Sequence, residues 1–419
     1  MKKLLLIFFF AFCLLPFALQ SQWVQQTVPV SKPITGIKFI DANTGWSIAD
    51  IGTGGANYSY ILHTTNGGTN WQLQDSSFGS SLLALSVVNV NIAYCGGFDG
   101  AATANLHKTT NGGLNWFVIP TPTNMSILDM QFLNKDSGWT VGGSVGADVR
   151  TTTDGGLTWQ VRISGIAAQT QRIFFLNYST GFCGANFDLY KTTNAGMNWT
   201  ISSSFSQSLQ SIFFLNQNTG WVGTGNQIQY TSNAGSNWVT QFLPAQGNNN
   251  LYDLFFFNNS TGYGGTGLNR IFKTTNGGQN WGYQIDTGGS YRISFIDSSL
   301  GWTCWLGAKI CKTTNGGGAI FYTGFTPQGT NIPSVFTLYQ NYPNPFNPVT
   351  TVKVDIPKAS NIRFVIFDII GKVLYEENEY LRAGSYEFKW DASSYSSGVY
   401  FYTLISDKFT ETKKMLLLK

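Results

Sequence analysis

The stretch Lys273-Thr274-Thr275-Asn276-Gly277-Gly278-Gln279-Asn280-Trp281 decides the fold, because the chain repeats it in register. The same pattern begins at His63, Lys108, Thr151, Lys191 and Tyr230 and ends at Trp71, Trp116, Trp159, Trp199 and Trp238. A seventh copy, opening at Lys312-Thr313-Thr314-Asn315-Gly316-Gly317, runs into Ala319-Ile320-Phe321 where a tryptophan is expected. Thr-Thr reads as a strand end, Asn-Gly-Gly supplies the positive-φ residues of a hairpin turn, and tryptophan opens the returning strand. The Asn or Asp side chain is suited to bond backbone amides inside that turn.

Outward from the turn, the six tryptophans are spaced by 45, 43, 40, 39 and 43 residues. A period of roughly 40–45 residues carrying four short strands is the signature of a β-propeller blade. A second motif precedes each turn: Gly45-Trp46, Ala93-Tyr94, Gly138-Trp139, Gly181-Phe182, Gly220-Trp221, Gly262-Tyr263 and Gly301-Trp302. Before it sits an alternating apolar strand such as Ile34–Phe39 or Arg292–Phe295. Seven such units predict seven blades. The tryptophan-led strand occurs once more, at Trp23-Val24-Gln25-Gln26. The economical reading is that this N-terminal strand completes the seventh blade and closes the ring, which removes open sheet edges. One tryptophan per blade at a fixed register is expected to pack between neighbouring sheets.

The Thr-x-Asn/Asp-Gly-Gly-x-x-Trp turn resembles the Asp-box, or BNR repeat. With the Phe-rich strand and the Gly-Trp unit, residues 22–325 most resemble the propellers of photosystem II assembly and stability factors. Fold kinship does not carry the photosystem function with it. The propeller holds only five arginines, Arg150, Arg162, Arg172, Arg270 and Arg292, so a basic docking patch like the one that resemblance implies is not expected.

Past Phe325 the repeat stops. Residues 326–336 read as a linker opening on Thr326-Pro327-Gln328-Gly329-Thr330-Asn331. Residues 337–419 begin with the proline-punctuated run Leu338-Tyr339-Gln340-Asn341-Tyr342-Pro343-Asn344-Pro345-Phe346-Asn347-Pro348, followed by short alternating strands. The expectation is a small Ig-like antiparallel β-sandwich. This region resembles the type A C-terminal sorting domain of the type IX secretion system. The proline run, Phe367-Asp368-Ile369-Ile370-Gly371-Lys372, Gly398-Val399-Tyr400-Phe401-Tyr402 and the Lys413-Lys414-Met415 tail ending at Lys419 carry the resemblance. It implies that Gly371, Gly398, Tyr400, Lys413, Lys414, Met415 and Lys419 form the sorting signal. It further implies that the type IX machinery is a partner and that the protein is secreted or attached to the outer surface.

The other end agrees. Met1-Lys2-Lys3 followed by the apolar run Leu4–Leu19 reads as a secretory signal peptide over residues 1–21, with cleavage expected after Ser21. Interrupted by Pro16, the run is short for a membrane span, which needs about 20 residues. No second apolar run of that length follows, so no transmembrane segment is expected in the mature chain. Four cysteines remain: Cys95, Cys183, Cys304 and Cys311. Export permits disulfides, and Cys304 and Cys311 flank a tight hairpin that a bridge would span. Cys95 and Cys183 read as small buried strand residues.

Composition excludes several chemistries. Of 419 residues 11% are charged, against a usual ~25%, and the net charge is +4. That is too little for a nucleic-acid binder, which needs a concentrated basic face. No glutamate lies before Glu376. Sialidase-like catalysis would need a glutamate beside its tyrosine nucleophile and an arginine cluster, and the five arginines look scattered. A glycosidase built on two aspartates is the alternative, but Asp41, Asp136 and Asp297 follow strands beside turn-forming residues. No Cys or His spacing suits a metal. Gly52-Thr53-Gly54-Gly55 and Gly96-Gly97-Phe98-Asp99-Gly100 read as hairpin tips, since neither opens a phosphate-binding helix. Trp305, outside the repeat register, is the aromatic to watch for a stacked sugar. The sequence therefore predicts an all-β, exported, non-catalytic propeller with no cofactor, whose ligand is an unknown surface protein or glycan. Its rival is an extracellular carbohydrate-active enzyme.

Overall fold

The computed structural model describes residues 23–419 apart from 51–57, 79, 100–105, 123–125, 143–146, 167–169, 226, 244–249, 268–269, 280, 286–289, 306, 319–324, 329–330, 382 and 407. The proposed signal peptide, its cleavage point, the Gly52–Gly55 stretch and the decayed Ala319–Phe321 strand lie outside the described residues. Among the described residues every regular element is a strand. Seven four-stranded antiparallel sheets precede two more that form the C-terminal domain.

The innermost strands of the seven sheets are Ile34–Phe39, Ser80–Val87, Asp129–Phe132, Thr170–Phe175, Leu209–Phe214, Leu251–Phe256 and Arg292–Phe295. Each contacts the next, and Arg292–Phe295 returns to Ile34–Phe39, so the ring closes. The seventh sheet runs in the order Val24–Gln26, Lys309–Thr313, Gly301–Trp305, Arg292–Phe295. The N-terminal strand is thus the outer strand of the last blade, paired antiparallel with Val24 opposite Lys312.

Trp23 performs in that blade what the turn tryptophan performs elsewhere. Trp281 meets Phe256 edge-on at 5.7 Å and Trp71 meets Phe39 at 5.7 Å; Trp23 meets Phe295 at 5.9 Å. A glutamine on the preceding blade clasps each of these three rings. Gln241 Oε1 accepts from Trp281 Nε1, Gln26 Oε1 from Trp71 Nε1, and Gln284 Oε1 from Trp23 Nε1, at 3.4, 3.3 and 3.2 Å. The same glutamines donate to Gly277, Gly67 and Gly316 carbonyls in the turns of the next blade. Gln26 and Gln284 therefore place the N-terminal segment on both sides of the closure.

The turn itself is built as the sequence reading expected. Thr64 Oγ1 accepts from Gly68 N at 2.9 Å and donates to Asn66 Oδ1, which also accepts from Asn70 N at 2.9 Å. The Thr and Asn/Asp part of this network recurs at Thr109, Thr152, Thr192, Thr231, Thr274 and Thr313. Where alanine replaces the first glycine, Ala195 and Ala234 are still held at φ of 60° and 62°.

The Gly-aromatic unit has a steric cause. A Cβ on Gly220 would sit 2.3 Å from the Phe214 ring of its own blade, and one on Gly301 2.2 Å from Phe295. The aromatic after it stacks on the phenylalanine of the next blade: Trp221 on Phe256 at 3.6 Å, Phe182 on Phe214 at 3.6 Å, Trp302 on Phe39 at 3.5 Å. Blade two carries alanine at this position, and there Ala93 lies opposite Val87, not a phenylalanine.

One question the sequence left open is answered, and two expectations need correction. Cys304 and Cys311 keep separate thiols and form no disulfide with each other. In the ladder Thr303 faces Cys311 while Cys304 faces Ile310, so the two thiols point to opposite faces of the sheet and pack in different cores. Gly96–Asp99 is not a hairpin tip but part of the strand Ala93–Asp99. The stretch after the propeller is also more than a linker. Phe325–Gln328 is a strand paired with Gly384–Asp391, and Phe325 is buried in the C-terminal core.

That C-terminal domain is a two-sheet antiparallel sandwich. One sheet runs Phe325–Gln328, Gly384–Asp391, Val349–Ile356, Thr337–Leu338; the other runs Val373–Leu381, Ser360–Asp368, Gly398–Ser406, Phe409–Leu417. Asn341 joins them: its amide N–H donates to Tyr402 Oη at 2.8 Å and its Nδ2 to Thr350 Oγ1 at 2.9 Å.

Candidate functional site

Aligning the innermost strands on their terminal apolar residue shows what ring closure brings together. Three residues before that position stand Gly36, Ala84, Asp129, Arg172, Ser211, Asp253 and Arg292. Several of these strands carry a register shift just there: Ile34/Gly36, Leu82/Ala84, Thr170/Arg172, Leu209/Ser211 and Leu251/Asp253. A bulge bends the strand and re-aims a side chain. Here the bulges recur at one height around the axis, at the end of the ring opposite the Asn-Gly-Gly turns.

The result is a cavity of about 310 Å³ lined by Thr35, Leu83, Leu128, Arg172, Gln210, Tyr252, Tyr291 and Arg292. These residues come from all seven blades, one from each of the first six and two from the seventh. Arg172 Nε donates to the Gln210 carbonyl at 2.7 Å, and Arg292 Nη1 to the Tyr252 carbonyl at 2.6 Å. Arg292 also lies 4.7 Å from the centre of the Tyr291 ring, which packs against Tyr252 at 4.8 Å. Both guanidinium groups are thereby oriented, not merely present.

The electrostatics confirm that these groups converge. Burial lowers the Arg172 pKa, and Arg292 three blades away lowers it further. For Arg292 burial works in the same direction, but Tyr291, Asp253 and Asp129 outweigh it and the net shift is upward. Burial raises the Asp129 carboxyl against the pull of Arg172 and Arg292. Lys38 is exposed within the ring; the surrounding protein depresses its ammonium, and Asp253 opposes this. Blades one and six are not neighbours, so that coupling runs across the axis.

Both axial carboxylates have structural work. Asp129 Oδ1 accepts from Met130 N at 3.0 Å and Oδ2 from Ile173 N of the next blade at 3.1 Å. Asp253 repeats this with Leu254 N and Ile293 N, both at 3.0 Å. Each one ties an innermost strand to its neighbour. At the loops, Asp41 and Asp297 cap turns through their Oδ1 atoms, as the sequence suggested. Asp136 does not: Asn134 caps that turn, and Asp136 pairs with Lys135. Trp305 is half-buried at a strand end opposite Lys309 and does not line the cavity.

The arginines were the signal that sequence reasoning discounted. Arg172 and Arg292 are 120 positions apart and look unrelated. Only their shared position within the repeat announces that they meet. Among the described residues no cluster of His, Cys, Asp or Glu suits a metal ion.

Of the seven residues expected to carry the sorting signal, five sit in strands of one sheet, Gly371 in a turn joining two of its strands and Lys419 just past its last strand. Gly371 makes the turn after Ser360–Asp368 at φ 82°, Gly398 opens the next strand, and Tyr400 faces both Asp368 and Met415 across the ladder. Met415 and Tyr400 are buried, whereas Lys414 and Lys419 are exposed. Lys413 lies further along, opposite Tyr402, and pairs with Glu411 at 2.9 Å. Lys419 N donates to Ser397 Oγ at 2.9 Å, so the chain end is fastened beside Gly398.

With this geometry in hand, the class is that of a seven-bladed β-propeller followed by an antiparallel β-sandwich. Residues 340–418 match the family model described as a secretion system C-terminal sorting domain. That domain assigns the chain to export through the periplasm, to the cell surface or beyond it, with the secretion machinery as a partner. No curated protein matches the chain. Among solved structures it is similar to YCF48 bound to D1 peptide, at 17% identity and a TM-score of 0.57, covering 70% of this chain and 97% of that one. YCF48 from Cyanidioschyzon merolae is similar at 16% identity and TM-score 0.55, covering 70% and 98%. Virginiamycin B lyase from Staphylococcus aureus follows at 14% identity and TM-score 0.56, covering 70% and 97%. At these identities the likeness is one of fold alone, that of a β-propeller. Among the described residues no helix is long and apolar enough to cross a membrane.

Proposed function

We propose that the protein is a non-catalytic binding propeller displayed at or beyond the cell surface, with its ligand entering the axial mouth between Arg172 and Arg292. One observation carries this reading. The axial carboxylates of Asp129 and Asp253 are each held by two backbone amides, while the arginines front the cavity. A glycosidase needs one carboxyl to give a proton and a second to attack or to activate water. Carboxylates whose oxygens each accept a backbone N–H, and so fasten blades together, are poorly placed for either role. YCF48 with a bound D1 peptide is an example of a ring of this fold serving as a platform for binding.

The test is a panel of chromogenic glycosides and polysaccharides offered to the purified, exported protein. Binding without turnover is expected. Hydrolysis that disappears in both Asp129→Asn and Asp253→Asn, with folding intact, would overturn the reading in favour of the aspartate glycosidase.

A further inference from the structure

We propose that the axial mouth takes the carboxylate of a small sugar acid, an inference that rests on the binding role proposed above and specifies its ligand. Four features of the cavity point to this chemistry. First, two guanidinium groups from non-adjacent blades face one space and repel each other there, since Arg292 lowers the Arg172 pKa. Asp129 and Asp253 offset part of that repulsion, and a shared anion would offset more of it. Second, the heads are held in place by bonds to the Gln210 and Tyr252 carbonyls. Among the described residues, the Tyr252 carbonyl is the hydrogen-bond partner of Arg292, and a guanidinium has five N–H donors arranged as a fork that matches a planar carboxylate.

Third, the remaining wall is mixed. Leu83, Leu128, Tyr252 and Tyr291 offer apolar and aromatic surface, and Thr35 and Gln210 offer hydroxyl and amide groups. A ligand with C–H faces and hydroxyl edges satisfies both, whereas a bare inorganic anion uses only the arginines. Fourth, about 310 Å³ lies at the lower end of the range for small-molecule pockets, roughly 300–1,000 Å³. That size admits a single ring rather than an extended chain. Asp129 and Asp253 offset part of the arginine charge, but their oxygens are engaged with backbone amides, and Lys38 adds a third cation within the ring.

The experiment uses the full exported chain and calorimetric or NMR titration with four probes: sodium glucuronate, glucose, sodium sulfate, and N-acetyl-Gly-Ala with a free carboxylate. Glucuronate is expected to bind at least tenfold more tightly than glucose and than sulfate. Arg172→Gln and Arg292→Gln should each weaken glucuronate tenfold or more, the scale of a lost charged hydrogen bond. Arg172→Lys, which keeps the charge but loses the fork, should weaken it nearly as much. Arg162→Gln, which lies on an outer strand and donates to Thr151, serves as the control and should leave binding unchanged. Unaltered thermal unfolding identifies variants that fold.

Equal affinity for glucose and glucuronate, or binding indifferent to both arginines, would overturn the proposal. Sulfate binding as tightly as glucuronate would replace the planar anion with a tetrahedral one, and tighter binding of the peptide would replace the sugar with a chain terminus; either result refutes the ligand class. Failure of the non-catalytic role reads out separately. Release of nitrophenol from 4-nitrophenyl glucuronide by the same protein would end that role while leaving the carboxylate contact intact.

Discussion

Replacing Trp23 with alanine should open the ring. Trp23 is fully buried, packs edge-on against Phe295 at 5.9 Å and donates its indole N–H to Gln284 Oε1 at 3.2 Å. Truncating a buried Trp to Ala costs about 3–5 kcal/mol. Gln284 is fully buried as well. Its Nε2 keeps the Gly316 and Gly318 carbonyls, but its Oε1 loses the indole, and an abandoned buried acceptor adds about 1–3 kcal/mol. The sum is of the order of 4–8 kcal/mol, much of the roughly 5–15 kcal/mol that holds a domain folded. Trp281→Ala is the matched comparison, because Trp281 has the same edge-on contact and the same glutamine clasp inside the chain. Equilibrium urea unfolding followed by circular dichroism measures both. The propeller transition should fall by a similar amount in each variant, while the sandwich transition stays where it is. Trp23→Phe should recover most of the loss but not the hydrogen bond. A cost below about 2 kcal/mol for Trp23→Ala, with Trp281→Ala costing the expected amount, would show that the N-terminal strand does not latch the ring.

Deleting Lys413–Lys419 removes the end of the strand Phe409–Leu417 and the Ser397 anchor, and should trap the protein in the periplasm; cell fractionation checks this. Ala195→Gly relieves a positive φ of 60° and should stabilise the propeller by about 1 kcal/mol in urea titration. Gly301→Ala should destabilise it, since the new methyl meets the Phe295 ring, whereas Ala93→Gly beside Val87 should cost only about 0.5–1 kcal/mol, the ordinary glycine penalty in a strand. Asp154 is depressed to about 2, first by the Thr158 hydroxyl and then by the Thr158 amide. A carboxyl depressed in the folded state stabilises it above the ordinary pKa, and the contribution fades as pH falls from about 4 towards 2. Asp154→Asn, which supplies the residue used by the other turns, should remove that part of the acid slope in a pH series of thermal melts.

Much of this architecture is legible in a single sequence because a propeller is locally encoded. Thr64, Asn66, Gly67 and Gly68 make their turn with one another, and Gly220 makes room for Phe214 only six residues away. Repetition then multiplies one local solution into seven blades, and the orphan strand at Trp23 announces closure because a tryptophan is missing after Gly317. The linker was misjudged for the opposite reason. Thr326-Pro327-Gln328 has the composition of a connection, and its pairing with Gly384–Asp391 depends on residues some sixty positions later. The same limit applied to the cysteines, where the sequence left a bridge open and strand alternation forbids it.

The sequence by itself determined the blade, the number of blades and the strand that closes them, since these follow from contacts within one repeat or between adjacent ones. The tertiary structure alone decided what stands at the axis. The residue at this innermost position differs from blade to blade, from Gly36 and Ala84 to Asp129, Arg172 and Ser211, so repetition reveals no pattern there. Closing the ring sets Arg172 and Arg292 before one cavity and commits Asp129 and Asp253 to holding blades together. Side chains three blades apart share a site only because a circle brings every blade equally near its centre.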